Sequence, residues 1–95
     1  MKEVRIECNE VVYSKLGFAT ELNKLAMSYP CDVLIVIESE NKVEGQVDLK
    51  SYLGVVAAMS NQNKSIHLKL IGEEEDFASV DIKKTVNDLI KKYSN

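Results

Sequence analysis

Apolar and polar residues alternate at the start of the chain: Val4, Ile6 and Cys8 are interleaved with Glu3, Arg5 and Glu7. This period of two predicts a strand with one wet face. A polar loop follows through about Gly17. Phe18, Leu22, Leu25, Ala26 and Tyr29 then recur at helical spacing, which predicts an amphipathic helix stopped by Pro30. The β-branched run Val33, Leu34, Ile35, Val36, Ile37 predicts a central strand. A shorter strand over about residues 42–47 is its neighbour, with Ser39, Glu40 and Asn41 as the hairpin turn.

A second helix is predicted over residues 49–59, followed by the turn-rich residues 60–64. Ile66, Leu68 and Leu70 alternate with Ser65, His67 and Lys69 in a fourth strand that Gly72 ends. Glu73, Glu74, Glu75 and Asp76 lead into a last helix whose buried stripe is Ile82, Val86, Leu89, Ile90 and Tyr93. Asp81 near its start and Lys91 and Lys92 near its end complement the helix dipole. The order β-α-β-β-α-β-α defines an α+β protein, a four-stranded, mainly antiparallel sheet with three helices on one face. Periodicity leaves two strand orders open, a ferredoxin-like split β-α-β sheet and another open-faced sandwich.

Ninety-five residues fit one domain, residues 1–95, with 45% apolar and 28% charged positions, as in globular proteins. A net charge of −3 and the lack of a basic stripe argue against a nucleic-acid partner. The sequence contains no apolar run long enough to span a membrane and no signal-peptide core at its start, so a cytoplasmic location is expected. Cys8 and Cys31 have no metal-type spacing and are expected to be reduced and structural, with Cys8 buried by its place in the strand alternation. No Ser-His-Asp or Cys-His set, metal constellation or phosphate-binding glycine loop occurs, so an enzyme is not expected, nor a cofactor or metal. The acidic run at residues 73–76 is too contiguous for a calcium loop.

One segment narrows the choice. Val47, Asp48, Leu49, Lys50 and Ser51, with Gly54 and Val55 beyond, resemble the regulatory-serine helix of HPr, the small phosphocarrier of the bacterial sugar phosphotransferase system. Ala19 and Thr20 are similar to the start of that family's first helix, and the order of elements agrees throughout. The resemblance implies an HPr-like open-faced β-sandwich. It fails at the active-site loop. The family pattern there is Gly-Ile-His-Ala-Arg-Pro-Ala, and this chain has Tyr13, Ser14, Lys15, Leu16, Gly17, Phe18 and Ala19. The phosphate-accepting histidine position thus holds Lys15 and the arginine position Gly17. An exposed lysine amine is protonated at neutral pH and has no lone pair to accept a phosphoryl group. The lone histidine, His67, falls on the polar face of a strand with no carboxylate near it in sequence, which marks it as a surface residue.

Ser51 is the better candidate. A phosphate there adds negative charge and acceptors at a helix start, where both are tolerated. The plainer role for such a serine is to cap the helix. The resemblance implies a target of the family's bifunctional serine kinase. It also implies kinship with paralogues that lack the histidine and act as corepressors in carbon catabolite control. Tyr52, Leu53 and Val56 match positions of an exposed docking patch, next to Lys50, and Leu16 and Phe18 are expected to extend it. The expected partners are proteins: HPr kinase, a transcriptional regulator or phosphotransferase components. Three functions remain open: a regulatory adaptor, a phosphocarrier with an unusual acceptor, and an unrelated small α/β sandwich that binds a ligand or itself.

Overall fold

Alternation along the strands decides which of their side chains meet the helices. The computed structural model describes residues 1–39, 42–60 and 64–94. Its elements are β1 (Lys2–Glu7), α1 (Glu10–Tyr13), α2 (Leu16–Met27), β2 (Asp32–Ser39), β3 (Lys42–Asp48), α3 (Tyr52–Met59), β4 (Ser65–Ile71) and α4 (Glu75–Tyr93). Val4 and Ile6 from β1, Val33 and Ile35 from β2, and Ile66, Leu68 and Leu70 from β4 point into one core. Phe18 and Leu22 of α2, Val55 of α3 and Ile82 and Val86 of α4 close that core from the helical side.

The sheet order is β1-β4-β2-β3, antiparallel at every pairing. Val4, Leu68 and Ile35 stand abreast across three strands, so one apolar layer runs unbroken beneath the helices. A register shift between Ile37 and Glu38 lets β3 continue beside β2. The central strands are β4 and β2. A ferredoxin-like sheet would place β1 and β3 there, so the open-faced sandwich is the arrangement adopted. No helix among the described residues is long and apolar enough to cross a membrane.

Several local expectations are corrected. The loop before the first long helix contains a short helix, α1, because Asn9 caps it by accepting from the Val11 amide at 3.1 Å. The next helix begins at Leu16 and ends at Met27, two residues before Tyr29. Ser28 terminates it by turning its hydroxyl back to the Leu25 carbonyl, and Tyr29 precedes a proline, which disfavours helix there. Residues 49 and 50 form a turn and not helix, so α3 starts only at Tyr52. Asp81 lies well inside α4, where it accepts a hydrogen bond from the Tyr29 hydroxyl at 2.5 Å, and Glu75 and Asp76 serve the helix's first turn. Glu40 and Asn41 of the expected hairpin turn, and residues 61–63 of the expected turn before β4, lie outside the described residues.

Candidate functional site

The turn between β3 and α3 is fixed by backbone hydrogen bonds before any side chain acts. The Leu49 amide donates to the Val33 carbonyl at 2.9 Å, anchoring the turn to β2. The Asn23 side-chain amide, buried in α2, donates to the Leu49 carbonyl at 2.8 Å. The Asp48 carboxylate accepts from the Lys50 amide at 2.8 Å, and the Lys50 ammonium reaches the Tyr29 carbonyl at 2.8 Å. These bonds leave Ser51 extended, with φ −94° and ψ 121°, as the N-cap of α3. Its hydroxyl accepts from the Gly54 amide at 3.3 Å while the side chain stays exposed. Gly54 is required because its backbone lies against β3: a Cβ there would sit 2.4 Å from Val47 Cγ1.

Chemically, this is an accessible hydroxyl above the free N–H groups of a helix start. A phosphate on it would replace one acceptor by three without leaving the dipole's favourable end.

The start of α2 is built differently. Lys15 is its N-cap residue, half-buried, with no side-chain hydrogen bond to the helix. Leu16 projects outward and is 68% exposed. Phe18 turns the other way and is fully buried, packed edge-on against Tyr93 with ring centroids 6.2 Å apart. Phe18 therefore belongs to the core and not to a surface patch, as its spacing with Leu22 and Ala26 requires. Gly17 lies directly against the Tyr93 ring. The Tyr93 hydroxyl donates to the Glu21 carboxylate, which also pairs with Lys92 at 3.0 Å. The Tyr93 bond first, and Lys92 second, hold the Glu21 carboxyl below its ordinary range. The same bond raises the Tyr93 phenol. Asn9 donates to the Ser94 hydroxyl at 2.9 Å, so the end of α4 is tied to both segments flanking α1.

Between α2 and α3 lies an open depression of about 360 Å³ whose wall includes Lys15, Leu16, Ala19, Val56 and Met59. Leu16 and Val56 of its wall are exposed, as are Tyr52 and Leu53 at the start of α3, with Leu53 at 81% the most open. Leu49 and Val55 are fully buried, which divides α3 and its turn into a core side and a solvent side. Lys50 is partly buried beside this surface, its head group held by Tyr29.

His67 departs from expectation. It is on the sheet face away from the helices, yet it is 9% exposed and lies between two carboxylates, Nε2 at 3.4 Å from Glu3 and Nδ1 at 3.5 Å from Glu38. Both partners come from neighbouring strands, so local sequence could not reveal them. The sheet itself separates His67 from the start of α2. Cys8 is only half-buried, being one residue past β1; its thiol lies 2.9 Å from the Tyr13 hydroxyl, and burial raises its pKa. Cys31 is buried, and neither cysteine is in a disulfide among the described residues. No cluster among the described residues could hold a metal ion.

Asn23 and Glu21 are contributors that sequence reasoning missed, as were the contacts of Tyr93 with Gly17 and Glu21. Asn23 alone carried a signal, as a polar residue beside Leu22 within an apolar helical stripe.

A family model described as the PTS HPr component phosphorylation site matches residues 3–88. Among solved structures, a histidine-containing phosphocarrier protein of Mycoplasma superposes with a TM-score of 0.74 at 22% identity, covering 94% of this chain and 97% of that one. HPr-C-His from Thermoanaerobacter tengcongensis gives a TM-score of 0.70 at 25% identity, covering 100% of this chain and 98% of the other. No curated protein sequence matches the chain.

Proposed function

The chain belongs to the HPr family of the phosphotransferase system, and on that premise we propose that it is a regulatory adaptor which has lost phosphoryl relay and keeps the docking surface. One observation carries this reading. The helix start that would face a relayed phosphate begins at Lys15, and the chain's only histidine is across the sheet from it. Lys15 offers no imidazole to accept a relayed phosphoryl group. Gly17 supplies no arginine donor, and the space beside it is occupied by Tyr93.

Ser51 is the residue through which the adaptor is switched. Its exposure makes it reachable by a kinase, and its capping geometry lets a phosphate take over the bond to the Gly54 amide. Leu16, Tyr52, Leu53 and Val56, beside Lys50, form the surface on which a kinase, a transcriptional regulator or a phosphotransferase component docks. The protein acts in the cytoplasm, where that system's soluble components work.

The test is phosphorylation by HPr kinase with ATP. One phosphate per chain is expected, absent in Ser51→Ala and reduced in Leu53→Glu, whose amide spectrum should otherwise match the parent. Absence of phosphate on the parent chain, or labelling that survives Ser51→Ala, would remove the switch from the account.

A further inference from the structure

Away from the Ser51 surface, β1 is an edge strand: β4 pairs with one side of it, and no described strand pairs with the other. An edge of this kind offers unpaired N–H and C=O groups to another chain. Helix α4 runs alongside, and an open groove of about 440 Å³ lies between the two. Val4 and Val80 give it an apolar strip, and Phe77, one turn earlier on α4, is 66% exposed.

The charge of the groove is opposite to that of the molecule. The chain carries a net −3, yet Lys83 and Lys84 line the groove, exposed and without an ion-pair partner among the described residues. Arg5 is also in the wall, with its guanidinium forked onto Glu38, and Glu3 is beside His67. With Arg5 paired to Glu38 and Glu3 the one carboxylate in the wall, Lys83 and Lys84 leave the groove net positive. A second copy of the chain fits poorly, because joining two β1 edges would bring both lysine pairs to one shared groove, and like charges there repel.

We propose that the β1–α4 groove binds an extended acidic segment of a partner protein, which adds a strand to β1 and sets its carboxylates against Lys83 and Lys84. Strand addition supplies main-chain hydrogen bonds, and the flanking side chains supply selectivity. This site is independent of the Ser51 surface and stands whether or not Ser51 is phosphorylated.

The probe is a capped eight-residue peptide of alternating valine and glutamate, titrated into the ¹⁵N-labelled full chain. Expected are amide shifts confined to β1 and to residues 79–87 of α4, weaker at higher salt. The double variant Lys83→Glu/Lys84→Glu should bind at least about tenfold more weakly. An alternating valine–lysine peptide should not bind. Equal binding of both peptides, shifts centred on α3, no shift at all, or undiminished binding by the double variant would overturn the proposal. So would self-association of the free chain through β1, seen by sedimentation.

Discussion

The ring of Tyr93 occupies the space that a side chain at Gly17 would need. A Cβ at Gly17 would lie 2.8 Å from the Tyr93 hydroxyl oxygen and 2.9 Å from its Cε1, closer than real Cβ contacts allow. Tyr93 does not yield freely, because its hydroxyl is bonded to Glu21 and its ring packs on Phe18. The absence of a side chain at residue 17 and the aromatic at residue 93 are thus one local solution.

Gly17→Ala should accordingly destabilise the fold by about 1–3 kcal/mol through overpacking. In a Tyr93→Ala background the same change should cost less, since the obstructing ring is gone. Chemical denaturation of the four proteins in a double-mutant cycle measures the difference; strict additivity would contradict the contact.

Ser51→Ala removes the cap of α3 and should cost about 1 kcal/mol in thermal or urea unfolding. Ser51→Asp keeps an acceptor for the Gly54 amide and places a negative charge at the helix start, so it should retain most of the parent stability. An equal loss in both variants would mean that the cap does not hold the helix.

Asn23→Ala leaves the buried Leu49 carbonyl without its side-chain donor, at a cost of about 1–3 kcal/mol. Amide exchange in the turn at residues 49–51 should accelerate beyond the global change, because Asn23 holds that turn to α2. Uniform acceleration across the molecule would assign Asn23 a general packing role only.

Acid should weaken the protein through carboxyls that include Glu38 and Glu21. The Arg5 guanidinium holds Glu38 below its ordinary value of 4.5, and Tyr93 with Lys92 does the same for Glu21. A carboxyl lowered in the native state contributes stability above its unfolded value, and that stability is lost as pH falls through the native value. Urea midpoints should therefore decline below about pH 4.5, and Arg5→Met should flatten the decline. An unchanged acid limb in Arg5→Met would show that Glu38 does not contribute to it.

The strands were legible because Val4 and Ile6, and then Ile66, Leu68 and Leu70, repeat with a period that only a half-buried strand satisfies. The solvent side of α3 was legible too, since helical spacing cannot bury Leu49, Tyr52, Leu53, Val55 and Val56 together. Helix α1 was not, because four residues are shorter than any window in which helical period can be recognised. Resemblance points Phe18 to the surface, whereas its own periodicity puts it in the core, where it lies. Strand alternation gives the sheet face of His67, but its burial between Glu3 and Glu38 depends on residues distant in sequence. Tyr93 and Glu21 meet across 72 positions for the same reason.

We propose that this scaffold no longer relays phosphate. The most direct measurement incubates the purified chain with enzyme I and phosphoenolpyruvate and follows its intact mass and acid-labile phosphate. An unmodified chain is expected under conditions that fully phosphorylate an authentic HPr. A phosphorylated chain that passes its phosphate to a sugar permease component would contradict it.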